Sequence, residues 1–233
     1  DTILLGFEDA KKRLPNSKNI VVTGTPTKIK KVQLPETQKG KMISELGLKK
    51  DLPIVLVFGG SQGAKSINST LIDIIKSKEN KNYQIIWASG PKQYDIIKET
   101  LKENKIDINK IENVKILPYI YNMEEMMNLV DVVISRSGAM TITEIAITGK
   151  PAIFVPFPFA TENHQEYNAR VLENVGAAKI ILDKDLNKES LSNALNGILK
   201  DKNKLIQMGK NAEKVAISNV EDRIYNEIKN ILK

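Results

Sequence analysis

Asp131-Val132-Val133-Ile134-Ser135-Arg136-Ser137-Gly138-Ala139-Met140-Thr141-Ile142-Thr143-Glu144 is the stretch whose reading decides the fold of this chain. A β-branched run stops at Ser135, a small-residue turn follows at Ser137-Gly138-Ala139, and a helical pattern then begins. Small residues let a ligand approach the backbone, and a helix start presents unpaired N–H groups to an anion. Glu144 falls about one and a half turns into that helix, where a carboxylate accepts hydrogen bonds from sugar hydroxyls. The segment reads as a seat for a nucleotide diphosphate and its ribose.

Outward from this junction the same pattern repeats. Apolar runs at 19–22, 53–58, 83–88, 113–117, 131–135, 151–155 and 177–182 predict strands, and amphipathic helical patterns fill most of the gaps between them. Ile54-Val55-Leu56-Val57-Phe58 is apolar without interruption, as a strand covered on both faces must be. Strand–helix alternation of this kind predicts an α/β fold, a doubly wound, Rossmann-like parallel sheet. From residue 187 onward only helical patterns remain, and they are expected to wrap the sheet. The head differs: Ile3-Leu4-Leu5 and a helical Phe7–Leu14 read as the end of another unit, joined through a turn-rich Gly24-Thr25-Pro26-Thr27.

Strand 53–58 also runs into a glycine-rich turn, Gly59-Gly60-Ser61-Gln62-Gly63-Ala64. It lacks the Gly-Lys-[Ser/Thr] ending of a Walker A loop and the spacing of G-x-G-x-x-G, and strand 83–88 carries no acidic residue for an NAD ribose. Alone it would serve packing as readily as ligand binding. Paired with 136–139 it means more, because loops at the carboxyl ends of neighbouring strands converge on one ligand, and two helix N-termini neutralise a diphosphate without a metal. Arg136 is read either as extra charge for that site or as half of a structural ion pair.

A third segment, Pro156 to Asn168, follows strand 151–155, and its Gln165 and Asn168 share a helix face with amides suited to sugar hydroxyls. Solvated groups at an ordinary helix start are the plainer reading of both. His164, the only histidine, is where a general-base reading would look, although capping and surface roles are commoner for such a residue. Asp183-Lys184-Asp185 spells D-x-D, but turn and cap chemistry explains it, and no metal site is expected.

Composition bounds the rest. The 233 residues are 41% hydrophobic and 27% charged, enough for a real core and against disorder. No run approaches the roughly 20 apolar residues of a membrane span, and the N-terminus does not read as a signal peptide. The absence of cysteine removes disulfides and thiolate chemistry and suits a cytoplasmic protein. A net charge of +7 suggests nucleic acid, but aromatic residues are only 5% and do not interleave with the lysines, so nucleic-acid binding is not expected. Mild attraction to anionic lipid or substrate fits better.

Four segments taken together, G-G-S-Q-G-A (59–64), D-V-V-I-S-R-S-G-A-M-T-I-T-E (131–144), P-A-I-F-V-P-F-P (151–158) and H-Q-E-Y-N-A (164–169), resemble glycosyltransferase family 28, the bacterial GlcNAc transferases of peptidoglycan synthesis. The resemblance runs from about residue 3 to the C-terminus. It implies the C-terminal, donor-binding half of a GT-B enzyme over residues 19–233, with extra C-terminal helices. Residues 1–18 would be a remnant of the acceptor domain and linker.

The implied reaction is metal-independent, inverting transfer of GlcNAc from UDP-GlcNAc to lipid I, at the inner face of the plasma membrane and with no cofactor. By resemblance, Ser61 would contact the diphosphate, Ala139, Met140 and Thr141, at a helix start, would give it N–H groups, and Ile142 and Thr143, next in that helix, would also belong to the substrate-binding set. Glu144 would bind the ribose, Ile120 would offer its backbone to uracil, and Gln165 would hold GlcNAc hydroxyls. The family usually reads G-N-P-x-R where this chain has Gly24-Thr25-Pro26-Thr27-Lys28, so Lys28 keeps the charge without the planar fork. The family's candidate base and acceptor loops belong to the other half, so the chain alone is expected to be inactive. Two alternatives stay open: a non-catalytic nucleotide-sugar-binding subunit with a separate acceptor-binding partner, and a UDP-GlcNAc 2-epimerase.

Overall fold

The computed structural model describes residues 2–14, 19–60 and 63–232. Its strands are β1 (Ile3–Leu5), β2 (Ile20–Val22), β3 (Ile54–Phe58), β4 (Gln84–Ala88), β5 (Val114–Leu117), β6 (Val132–Ser135), β7 (Ala152–Phe154) and β8 (Ala178–Ile180). Its α-helices are α1 (Glu36–Glu45), α2 (Lys65–Ser77), α3 (Pro91–Glu103), α4 (Met123–Leu129), α5 (Ala139–Thr148), α6 (His164–Glu173), α7 (Lys188–Leu199), α8 (Lys202–Glu213) and α9 (Val220–Ile231).

Six strands form one parallel sheet in the order β5-β4-β3-β6-β7-β8. This is the doubly wound order, and its switch point lies between β3 and β6, the two strands that end in the glycine turns. The continuous apolar runs are explained by two cores. Val55 and Val57 face one with Trp87, Ile67 and Leu71, whereas Leu56 and Phe58 face the other with Phe154, Ile142 and Ile145. Side chains alternate across a strand, so a strand clad by helices on both sides is apolar at every position. Asp131 locks the switch point from below, its Oδ2 accepting from Ile54 N–H at 2.7 Å.

Three elements depart from expectation. The strand at 19–22 does not join the main sheet; β2 pairs in parallel with β1 in a separate two-stranded sheet. The helix expected at Phe7–Leu14 is a 3-10 turn over Glu8–Arg13, held by side-chain pairs such as Lys11 with Glu8 and Lys12 with Asp9. Of the three tail helices, α7 packs on α2 and α8 on α5, as expected. Helix α9 does not wrap the sheet: Val220 is its one buried residue, and Tyr225, Ile228 and Ile231 face outward. Among the described residues no helix is long and apolar enough to cross a membrane.

Candidate functional site

The turn after β3 is built from contacts only glycine permits. A Cβ on Gly59 would drive into Ala64, and Gly63, at φ +77°, would strike the Ser89 carbonyl at the end of β4. A buried network fixes α2 beside this turn. Trp87 Nε1 donates to Asn68 Oδ1 at 2.9 Å, and Asn68 Nδ2 donates to the same Ser89 carbonyl at 2.9 Å. The start of α2 is thereby set against the ends of both β3 and β4.

The turn after β6 is anchored differently. Ser137 Oγ donates to the Gln165 carbonyl at 2.7 Å, and Asn168 Nδ2 donates to the Ser137 carbonyl at 3.1 Å. Gly138 then opens α5, and Ile142 N–H makes the first helical bond, to Gly138 O at 3.1 Å. The N–H groups of Ala139, Met140 and Thr141 precede that bond and have no partner among the described residues. Helix α2 likewise starts without a side-chain cap, whereas α7 and α8, away from the switch point, are capped by Asn187 and Asp201. Neither α2 nor α5 carries an acidic residue of its own in its first turn, and the Asp183 carboxylate that accepts from Ser66 at the start of α2 is itself paired with Arg136.

Both helix starts open on one cleft of about 670 Å³. Gly59, Gly60, Lys65 and Ser66 form one wall, Gly138, Thr141 and Gln165 another, and Phe157 and Phe159 the rim. A larger groove, about 930 Å³, lies by β2, α6 and α9, but its walls mix aliphatic side chains with charges of both signs and it holds no glycine turn.

Gln165 lines the cleft in a defined orientation. Its Oε1 accepts from Phe157 N–H at 3.0 Å and Ser137 N–H at 3.3 Å, which leaves the amide Nε2 as a donor toward the cleft. Glu144 lies one turn beyond Thr141, half-buried, with Oε1 accepting from the Thr27 hydroxyl at 3.3 Å. Burial raises its carboxyl above the usual range, and the Thr27 hydrogen bond opposes that shift.

Arg136 lines the cleft and is built into a structural clamp. Its Nη1 donates to the Val155 and Pro156 carbonyls at 2.9 and 3.0 Å and pairs with Asp183, and its Nη2 donates to Ser66 Oγ at 3.0 Å. The same Asp183 accepts from Ser66 at 2.7 Å, so the first carboxylate of D-x-D serves this clamp and sits in a short 3-10 turn. Arg136 thus ties the start of α2 to the end of β7 and holds the cleft walls together.

Other expected residues lie outside the lining of this cleft. Ile142 is fully buried in the core with its N–H taken, and Thr143 donates to the Ala139 carbonyl, so both serve α5 itself. The Ile120 side chain is buried at 5% exposure, and its backbone carries no hydrogen bond among the described residues. Lys28 is exposed. Asn168 spends its donor on the Ser137 turn. His164 is exposed, outside the cleft lining, with Nδ1 at 2.9 Å from the Thr161 carbonyl, a local cap. Ser61 lies outside the described residues.

Four contributors leave little trace in the sequence. Lys65 brings a cation to the start of α2, and a lysine directly after a glycine turn, with no acid in that turn of helix, was the available signal. Phe157 and Phe159 form an edge-to-face pair at 5.7 Å, and apolar side chains in a loop give no sign by themselves of a ligand rim. Thr27 lies 117 positions from Glu144, and no local pattern links them.

Comparison with known proteins agrees with this geometry. The model of the "glycosyltransferase family 28 C-terminal domain" matches residues 54–224. The UDP-N-acetylglucosamine--N-acetylmuramyl-(pentapeptide) pyrophosphoryl-undecaprenol N-acetylglucosamine transferase of Acetivibrio thermocellus is 41% identical over all of this chain. The chain spans 61% of that relative's length. A crystal structure of Acinetobacter baumannii MurG superposes with a TM-score of 0.74 at 26% identity, over 99% of this chain and 60% of that one. A putative UDP-N-acetylglucosamine 2-epimerase from Listeria monocytogenes shares the fold at a TM-score of 0.71 and 15% identity, covering all of this chain and 59% of its own. The order of strands, the paired glycine turns at the switch point and these likenesses converge: the chain belongs to glycosyltransferase family 28, through its C-terminal domain.

Proposed function

We propose that this chain is the donor-binding half of an inverting GlcNAc transferase that converts lipid I to lipid II. One observation carries the reading: two uncapped helix N-termini, α2 and α5, face a single cleft at the switch point of the sheet. A diphosphate seated there would be held by the N–H groups of Ala139, Met140 and Thr141, with Lys65 adding charge. Ser61, by its place in the first glycine turn, would add a hydroxyl. The sugar would meet the free Gln165 amide, the ribose would meet Glu144, and the base would lie toward the Ile120 backbone and Lys28.

The chemistry follows from charge. As the acceptor hydroxyl attacks C1 and the C1–O bond to UDP breaks, negative charge grows on the leaving diphosphate. Fixed dipoles aimed at that charge favour the transition state over the bound donor, without reorganisation. The acceptor lipid, its general base and the membrane-docking surface at the cytoplasmic face are assigned to the portion of the relatives' length beyond this chain. Residues 1–18 are read as the edge of that portion, and β2 goes with them because it pairs with β1.

Calorimetric titration of the chain with UDP-GlcNAc, UDP and ADP tests the reading. Binding of both uridine ligands with at least tenfold preference over ADP is expected, with no turnover of UDP-GlcNAc. Conversion of UDP-GlcNAc to its C2 epimer would favour the epimerase reading instead.

A further inference from the structure

The geometry points to Thr27 as the positioning residue for Glu144: its hydroxyl fixes one carboxylate oxygen and aims the other at the ribose diol. This rests on the reading of Glu144 as the ribose acceptor. A threonine hydroxyl has one proton to give and two lone pairs to accept with. Ile29 N–H donates to Thr27 Oγ1 at 3.2 Å. The hydroxyl proton is then free for Glu144 Oε1 at 3.3 Å, so a backbone N–H sets the rotor that the carboxylate reads. No described residue bonds Oε2.

The stretch that carries Thr27 is itself held at both ends. Gly24, at φ +90°, packs so closely on Ile217 and Val220 that a Cβ would clash. On the other side Ile29 is buried, Lys30 N–H donates to Glu124 at 3.0 Å, and Val32 N–H donates to Asn128 Oδ1 at 2.8 Å. Asn128 returns a bond to the Lys30 carbonyl at 2.9 Å. A hydroxyl on so constrained a segment costs little further entropy to place. It also opposes the effect of burial, which by itself favours the protonated carboxyl, a poorer acceptor for a diol. Residues 24–28 thereby couple directly to the donor site, through a side chain that the surrounding sequence pattern does not mark.

The test is titration of the full chain with UDP and with 2′,3′-dideoxy-UDP, for wild type, Thr27→Val, Thr27→Ser and Glu144→Gln. Thr27→Val keeps the shape and removes the hydroxyl. It is expected to weaken UDP about tenfold, the size of one lost hydrogen bond to a charged group, and to change dideoxy-UDP less than about twofold. Thr27→Ser restores UDP affinity to within about twofold. On acidification, UDP affinity should fall at a higher pH in Thr27→Val than in wild type, a change that lost packing alone would not produce. If Glu144→Gln loses the preference for UDP over dideoxy-UDP but Thr27→Val keeps it, the role of Thr27 is overturned and that of Glu144 stands. If Glu144→Gln keeps the preference, the ribose reading fails and takes the proposal with it. If wild type binds neither ligand at millimolar concentration, both fail.

Discussion

Arg136→Met separates the two roles open to a cation beside the proposed diphosphate site. The Arg136 side chain is 12% exposed and that of Asp183 22% exposed, so the pair is mostly out of water. Removing one partner of a buried pair costs about 3–5 kcal/mol, because the other charge is stranded. Asp183 keeps some solvent and the Ser66 hydroxyl, which places the expected loss near the lower end, about 3 kcal/mol. For a chain of this size that is a fall in Tm of roughly 6–12 °C.

Urea unfolding monitored by circular dichroism gives the free energy directly. Adding Asp183→Asn to the same chain removes the stranded charge and should recover about 1–2 kcal/mol. UDP affinity should fall with stability in the single variant and return in part with it in the double one, because the clamp holds the cleft walls. The reasoning is refuted if Arg136→Met unfolds within about 0.5 kcal/mol of wild type while UDP affinity falls tenfold or more. That result would make Arg136 a phosphate ligand.

Further outcomes concern the two ionisable groups whose burial matters most. Lys150 donates to the Asn128 and Val130 carbonyls at 3.1 and 2.7 Å, and burial pushes its ammonium down from 10.5 to about 8. Between these values the unfolded chain holds a proton the folded chain has released, so stability rises with pH; from pH 7 to 10 the wild type should gain roughly 2–3 kcal/mol relative to Lys150→Met. Equal slopes in urea titrations of the two chains would contradict this. Glu144→Gln should stabilise the unliganded chain at pH 7, since the folded state favours the protonated carboxyl and loses stability as pH rises through that window. A lower urea midpoint for this variant at pH 7 would show that the carboxylate is not strained by burial.

The sheet was legible in the sequence because covering it on both faces leaves strands such as 54–58 without a polar residue, and each run sits within a residue or two of its expected place. The glycine turns were legible because Gly59 and Gly63 answer a local steric demand. What escaped was pairing at long range. Arg136 with Asp183 and Thr27 with Glu144 join positions 47 and 117 apart, and side-chain partners across elements leave no periodic trace. Helix α9 misled for a related reason: an apolar stripe at helical spacing says that a face seeks cover, not which surface supplies it.

The central claim is that a diphosphate rests on the N-termini of α2 and α5. Amide proton and nitrogen shifts of the ¹⁵N-labelled chain, recorded with UDP and with uridine, test it most directly. UDP should move the amides of Lys65, Ser66, Ala139, Met140 and Thr141 strongly, and uridine should leave them in place. The claim is contradicted if UDP binds while these amides stay put, or if the shifts fall instead on the groove around Val22, Val171 and Val175.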